Sequence, residues 1–176
     1  MDTSQLNARM PQVEPPSSSL PSRASVLSAF REMVREELDA LERVSAVTRE
    51  EVTSDETRSE GKYDTRSTEA SYLARGQAWR IASLRQLAAW INALPDTPPQ
   101  SAVACIGSLV ALEGDEIEYM LLGPVGGSKI ETDGFVVRLI SPDSPVGSKV
   151  VGLQPGDDFE VKRPSGRAEF SVIEIG

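Results

Sequence analysis

The stretch with the clearest capacity for chemistry spans residues 50–64, where six carboxylates and two basic side chains occur in fifteen positions. Carboxylate oxygens are ligands for divalent cations, and Mg²⁺ is often held by only one or two of them together with waters and substrate phosphates. Two interpretations follow. The stretch is either a solvated link whose acids favour the N-terminus of a following helix, or an acidic tip that holds a divalent cation jointly with a partner.

The composition of the chain excludes several classes of site. The chain has no histidine and a single cysteine, Cys105, so Ser-His-Asp and Cys-His catalysis, histidine zinc sites and an intramolecular disulfide are ruled out. The formal net charge of -9 has the wrong sign for autonomous binding to DNA phosphates. No apolar run is long enough to span a membrane, and the N-terminus lacks a signal-peptide pattern. These features predict a cytoplasmic protein.

Other conspicuous residues have ordinary structural interpretations. Cys105 lies among apolar neighbours and is expected to be a small buried hydrophobe. Residues 123–129 are rich in glycine but lack the spacing of a phosphate-binding loop, so we expect a surface turn there. Trp79 and Trp90 are eleven residues apart, which puts them on one helical face, and packing in a core is their expected role.

Two amphipathic helices are expected to position the acidic stretch. Residues 1–23 are rich in proline and serine and are interpreted as a disordered tail. Apolar side chains recur every three or four positions over residues 24–49 and again over 63–94. Residues 24–94 are therefore predicted to form an antiparallel coiled-coil hairpin with residues 50–64 at its tip. Small side chains dominate the tip half of the second helix, so apolar burial is expected mainly at the other end. Because the hairpin can bury its own apolar stripe, we expect a monomer.

A second domain is expected after the proline-rich linker at residues 95–100. Residues 101–176 alternate β-like runs with turn signals, which predicts a small, mostly antiparallel sheet. The residue pair Ser144 and Pro145 has the pattern of an N-cap followed by proline at the first helical position, so a short helix should begin there and end near Gly152. The predicted strands are residues 103–112, 117–122, 135–140, 159–162 and 168–175.

Two parts of the sequence resemble the bacterial Gre transcript-cleavage factors. The more specific part is C-terminal, because runs at residues 140–147, 151–157, 164–166 and 170–175 follow that family's closing pattern in order and spacing. The N-terminal part is similar in having a helix, an acidic tip, a tyrosine and a second helix. The resemblance covers residues 24–176 and implies an α+β fold, with a coiled-coil hairpin followed by an FKBP-like antiparallel β domain that contains one short helix.

The resemblance also implies a partner. Gre factors dock their C-terminal domain at the rim of the secondary channel of RNA polymerase, and their tip carboxylates help to hold Mg²⁺ and a water against backtracked RNA. The polymerase performs the cleavage, so the chain is expected to be an accessory factor rather than an enzyme. It would have no stably bound cofactor and only indirect contact with the nascent RNA 3′ end. Ser141, Ser144 and Pro145 lie in the segment expected near the polymerase, and Tyr63 flanks the tip.

The tip departs from the family pattern. When the sequences are aligned on the tyrosine, Glu56 takes the position of the usual aspartate, Ser59 that of the usual glutamate and Lys62 that of an acid. An extra methylene at Glu56 and a lysine beside the site alter a geometry that tolerates little displacement. The remaining candidates for catalytic and Mg²⁺-binding carboxylates are Asp55, Glu56 and Glu60.

Three alternatives to a cleavage factor stay open. The first keeps the polymerase as partner but gives the chain a non-cleaving, regulatory role in the secondary channel, as the serine and lysine at the tip suggest. The second is a peptidyl-prolyl isomerase, which needs an apolar, aromatic-lined cleft. The third is an adaptor that is independent of polymerase and uses the hairpin as a surface for partner helices.

Overall fold

Two long helices and a six-stranded sheet make up the structure. The computed structural model describes residues 20–56, 65–163 and 166–176, with the side chains of residues 48–56, 65–70 and 163 left out. The helices are α1 (Arg23–Glu56), α2 (Thr65–Ala93) and α3 (Gly147–Val150). The strands are β1 (Leu109–Glu113), β2 (Ile117–Leu122), β3 (Lys129–Thr132), β4 (Phe135–Ile140), β5 (Asp158–Arg163) and β6 (Gly166–Ile175). No helix in these ranges is long and apolar enough to cross a membrane.

Helices α1 and α2 pack as an antiparallel hairpin. Apolar side chains three and four residues apart form the seam between them, since such positions share one helical face. The seam is flanked by two ion pairs from α1 to α2, Glu37 with Arg80 and Glu42 with Arg85. Residues 80 and 85 are about 140° apart around α2 at 3.6 residues per turn, so the pairs lie on opposite sides of the seam. The seam residues that are fully or nearly buried are Val26, Leu27, Phe30, Val34, Ile81, Leu84, Leu87 and Ile91.

The strands form one mixed sheet in the order β3-β4-β2-β1-β6-β5. Four of the neighbouring pairs are antiparallel, and β2 and β4 are parallel. Because β2 and β4 run in the same direction, Leu122 and Ile140 lie at one end of the sheet, and the β1–β2 turn lies at the other. A register shift between Ala111 and Leu112 marks a bulge where β1 pairs with β6.

The base of the hairpin and the sheet share a hydrophobic core. Alternate residues of a strand point to opposite faces, and one face of this sheet packs against α1 and α2 through Leu109, Leu121, Ile130, Val137 and Leu139. The other face packs against α3 and its neighbouring loops through a second cluster that includes Val110, Leu112, Met120, Val150 and Phe170. The direction of the hairpin relative to the sheet is therefore fixed by buried apolar contacts, not by the residue 95–100 segment alone.

The α+β class and the two long helices are confirmed, while several details of the sheet differ from the sequence-based predictions. The first strand begins at Leu109, because residues 103–108 form a loop in which Ser108 Oγ accepts a hydrogen bond from the Cys105 N–H at 3.1 Å. Strand β3 was not predicted: its four residues carry one buried apolar side chain, Ile130, too few to show a period. The parallel pairing of β2 with β4 was also missed, because the β3–β4 hairpin inserts β4 beside β2.

Candidate functional site

The segment that follows β4 is a tightly bonded turn. Ser144 Oγ donates a 2.7 Å hydrogen bond to the carbonyl oxygen of Ser141 and accepts one of 3.0 Å from the N–H of Gly147. The backbone N–H of Ser144 also donates to the Ser141 carbonyl at 3.0 Å. Pro145 is exposed at the crest of the turn. The turn therefore presents Ser141, Ser144 and Pro145 together, and the side chain of Ser144 is already engaged in holding that shape.

Gly147 is required by the packing of this turn. A Cβ at this position would lie 2.0 Å from the carbonyl oxygen of Ser141 and 2.8 Å from Ser144 Oγ, so no other residue fits without moving the backbone. Helix α3 begins at Gly147, two residues later than the Ser-Pro pattern predicts, although the Ser144 hydroxyl makes the expected capping bond. Gly152 follows the helix with φ +91, the left-handed conformation that glycine adopts readily at helix ends.

The glycine-rich loop at residues 123–127 is wedged between the hairpin and this turn. A Cβ on Gly123 would lie 2.7 Å from Leu139 and 3.2 Å from the Trp90 ring, and a Cβ on Gly126 would lie 2.8 Å from the backbone nitrogen of Ser141. These close approaches explain the glycines without a phosphate ligand. The same loop therefore lies between Trp90 of α2, which is beside Gly123, and Ser141, which is beside Gly126.

A charged groove lies at the opposite end of the sheet, between the β1–β2 turn and the β5–β6 hairpin. Two of its carboxylates pair with arginines, Glu118 with Arg138 and Glu160 with Arg167, each at 3.2 Å. Charged side chains dominate the lining, together with Phe159 and Phe170, whereas a prolyl isomerase needs a mainly apolar, aromatic-lined cleft. The acidic lining residues of the groove are Glu113, Asp115, Glu116, Glu118, Asp158, Glu160 and Glu169.

The described side chains in the outer part of the hairpin bury little apolar surface. Val44 of α1 is 52% exposed and Leu73 of α2 is 60% exposed. The expectation that burial is concentrated at the base is confirmed. The expected core role of Trp79 is wrong: its side chain is 74% exposed, whereas Trp90 is half-buried against the first core cluster.

The predicted tip residues lie largely outside what the structure describes. Helix α1 extends through Asp55 and Glu56, further than the sequence pattern predicts, but their side chains are not described. Glu60 and Tyr63 lie in the interval 57–64, outside the described residues. Among the described side chains, no group of three or more Cys, Asp or Glu is placed to hold a metal ion. The tip carboxylates thus stay a prediction.

Comparisons with known proteins identify the family. A family model described as "Transcription elongation factor, GreA/GreB, C-term" matches residues 100–176, the part that contains the sheet, the Ser141–Gly147 turn and α3. The GreA of Acetivibrio thermocellus is 31% identical over 118 residues, which cover 65% of this chain and 68% of that protein. The chain belongs to the GreA/GreB family of transcription elongation factors. The GreA of Clostridium acetobutylicum is 29% identical over 100 residues, 54% of this chain and 60% of that protein, so the match spans less than two thirds of that relative.

Solved structures of the GreA/GreB family are similar to this chain at low TM-scores. The GreA factor homolog 1 (Gfh1) of Thermus thermophilus is 21% identical with a TM-score of 0.35, and the match covers 83% of this chain and 94% of that one. A GreA/GreB factor from Nitrosomonas europaea is 26% identical with a TM-score of 0.32, covering 52% of this chain and 77% of that one.

In this GreA/GreB-family chain, the structure brings three of the predicted site residues together. Ser141, Ser144 and Pro145 lie in one turn. Asp55 and Glu56 lie at the C-terminal end of α1, and Glu60 and Tyr63 are outside the described residues. Sequence reasoning did not single out Gly123, Gly126 or Gly147 as determinants of that turn. Gly123 and Gly126 stand in a glycine-rich run, but a glycine-rich run by itself does not reveal which backbone atoms approach closely, and Gly147 has no such local signal.

Proposed function

We propose that this chain binds RNA polymerase at its secondary channel and that tip carboxylates assist the polymerase in Mg²⁺-dependent cleavage of backtracked RNA. The observation that carries the proposal is membership of the GreA/GreB family combined with the constrained turn at Ser141–Gly147. In that turn the Ser144 hydroxyl holds the backbone in place and Pro145 is exposed. Because these hydrogen bonds hold the shape before binding, the turn would lose little conformational entropy on docking. In this role the protein is an accessory factor, and the polymerase is the enzyme.

The length of the hairpin would allow residues at its far end to reach the polymerase active site. Helix α1 has 34 residues, which is about 50 Å at 1.5 Å per residue, and its base is fixed to the sheet by the shared core. Asp55, Glu56 and Glu60 are the carboxylates proposed to be carried to the polymerase active site. Carboxylate oxygens suit Mg²⁺, and a second Mg²⁺ held there would support the attacking water in two-metal phosphodiester hydrolysis. The chain's own contribution is to deliver these negative groups and hold them in place.

A second candidate function keeps the docking and omits the cleavage. Ser59 stands where the family has a glutamate, and Lys62 stands where it has an acid. A serine hydroxyl is a weaker ligand for Mg²⁺ than a carboxylate, and a nearby ammonium group repels the cation. These substitutions favour a factor that occupies the channel and regulates transcription without stimulating RNA cleavage.

A cleavage assay on a backtracked elongation complex separates the two candidates. With Mg²⁺ and a bacterial RNA polymerase, we expect the protein to accelerate removal of the RNA 3′ end, and D55A/E56A/E60A to abolish that acceleration while still binding polymerase. The matched control is E32A/E36A/D39A, which removes the same charge from α1 positions far from its C-terminal end. Binding by the wild type without acceleration would establish the regulatory candidate. Absence of binding would overturn both.

A further inference from the structure

Three aromatic side chains form a stripe along one side of α2. Tyr72, Trp79 and Trp90 are separated by seven and eleven residues, so their directions around the helix agree within about 20°. We call this set the aromatic stripe. Trp90 packs at its lower end beside Gly123, while Trp79 is 74% exposed and Tyr72 is 67% exposed. A tryptophan with so little cover is unusual, because tryptophan is highly buried on average.

The stripe is continuous with the turn that follows β4. Trp90 contacts the loop at Gly123, and the same loop at Gly126 lies against the backbone of Ser141. The exposed part of the stripe therefore rises from the side of the molecule on which the Ser141–Gly147 turn lies. A partner seated on that turn would meet Trp79 about 16 Å further along α2, at 1.5 Å per residue.

The charge around the stripe indicates the chemistry of that partner. Residues 71–93 of α2 contain three arginines and no carboxylate. Arg80 and Arg85 pair with Glu37 and Glu42 of α1, so Arg75 is the cation that lies beside the stripe. The guanidinium of Arg75 lies 5.7 Å from the centre of the Tyr72 ring, a cation–π arrangement. An apolar protein surface rimmed with carboxylates complements this combination, and Trp, Tyr and Arg are the residues most enriched among interface hot spots.

The exposed area is too small for the stripe to act alone. Two exposed aromatic side chains bury about 300–500 Å², whereas a stable interface needs about 800 Å² from each partner. A dimer of this chain through the stripe would also bring together two molecules of charge -9. The stripe is therefore suited to extend a larger interface with another protein, and the adjoining turn provides one.

We propose that Trp79, with Tyr72 and Arg75, is a second anchor for RNA polymerase, binding an apolar, carboxylate-rimmed surface beside the one that receives the Ser141–Gly147 turn. This inference rests on the proposed function, since it extends the same docking surface. The anchor lies between the turn and the end of the hairpin. It holds one side of the hairpin against the polymerase, in addition to the contact that the Ser141–Gly147 turn makes near the base.

The test measures binding of the full-length chain to RNA-free core polymerase. We expect W79A and Y72A to weaken binding by about tenfold or more, as hot-spot truncations do, and V136A to leave it unchanged. Val136 is a matched control because it is 50% exposed but lies on β4, away from the stripe. A photo-crosslinking amino acid at position 79 should capture a polymerase subunit, and the same group at position 136 should not.

Each alternative outcome is distinguishable. Tight binding by the wild type with unchanged affinity for W79A would overturn the inference while leaving the proposed function intact. A W79A effect that appears only when RNA is present would mean that the stripe stacks on RNA bases, and it would overturn the protein anchor. A concentration-dependent dimer that W79A abolishes would assign the stripe to self-association instead. Failure of the wild type to bind would refute the proposed function itself.

Discussion

The guanidinium of Arg23 donates a 2.7 Å hydrogen bond to the carbonyl oxygen of Gly107, joining the first residue of α1 to the loop that leads into β1. Its Nε also donates to the carbonyl of Pro95 at 3.1 Å, just beyond the end of α2. The side chain is buried, and its Nη2 has no hydrogen-bond partner among the described atoms. A single charged group thus holds both ends of the hairpin base to the sheet.

We expect R23A to lower the free energy of unfolding by about 2 kcal/mol, because hydrogen bonds from a charged donor contribute about 1.5–3 kcal/mol each and the relief of burying the charge offsets part of the loss. Chemical denaturation measures this. R35A is the control, since Arg35 is exposed and pairs with its helical neighbour Glu32, and it should change stability by less than about 0.5 kcal/mol. Equal losses in both variants would contradict the assignment.

The decrease in the free energy of unfolding caused by R23A should be the same at about pH 6 and about pH 8. Burial lowers the pKa of Arg23 from its ordinary value, with attraction to Asp96 opposing the effect. A cation with a lowered pKa in the folded state costs stability wherever it is protonated, and that cost is relieved only as the pH rises past the pKa. A guanidinium stays protonated throughout the neutral range. Chemical denaturation at the two pH values should therefore give the same difference in free energy of unfolding between wild type and R23A.

Gly147 should tolerate no side chain. In G147A the new methyl group would meet the Ser141 carbonyl at 2.0 Å, so the turn must open, and we expect a loss of about 3 kcal/mol together with weakened polymerase binding. G152A is the comparison, because open space surrounds that residue but its φ is +91. The backbone strain there should cost only about 1 kcal/mol. Thermal unfolding of the two variants would show whether contact or backbone conformation governs this region.

The same substitution should be favourable in the middle of α2. A methyl group at Gly76 would have no other described atom within 4 Å, and alanine is preferred over glycine in a helix interior by about 0.5–1 kcal/mol. We expect G76A to raise the helical signal in circular dichroism and to slow amide exchange in the outer part of the hairpin. A destabilised G76A would mean that α2 is approached closely there by another group.

Amide hydrogen exchange should divide the hairpin into two zones. Residues 84–91 of α2 form the part of the helix that is held by the buried side chains of Leu84, Leu87 and Ile91, so their amides should exchange only in global unfolding. Residues 71–78 flank exposed Leu73 and Trp79 and gain little from packing, so their amides should exchange earlier. Uniform protection along α2 would contradict the division.

Hydrophobic spacing predicted the hairpin well because both helices have long, regular stripes. The same reasoning placed Trp79 in a core, since a period of 3.6 residues shows which side chains share a face but not whether another element covers that face. Trp90 is covered by the loop at Gly123, and Trp79, on the same face, is not. Long-range contacts decide this, and they carry no local signature.

The sheet was predicted less completely for a related reason. Strands β2 and β4 have dense apolar runs and were predicted with correct bounds. Strand β3 contributes only Ile130 to the core, and its pairing depends on where β4 lies rather than on its own sequence. At the candidate site, the hydroxyl and proline of the Ser141–Gly147 turn were visible in the sequence, whereas the contact between Gly147 and Ser141 requires the folded backbone.

The shared core at the base of the hairpin determines where the far end of the hairpin lies. About 33 Å of helix separates Val34, the last fully buried residue of α1 in that core, from Glu56 at 1.5 Å per residue. Over such a lever arm, a tilt of about 2° displaces the far end by about 1 Å, and a misplacement of about 1 Å can reduce a catalysed rate about a hundredfold. In the proposed role, conservative changes to Leu27, Phe30 or Ile91 at the base would therefore misalign the far end of the hairpin without altering any residue there.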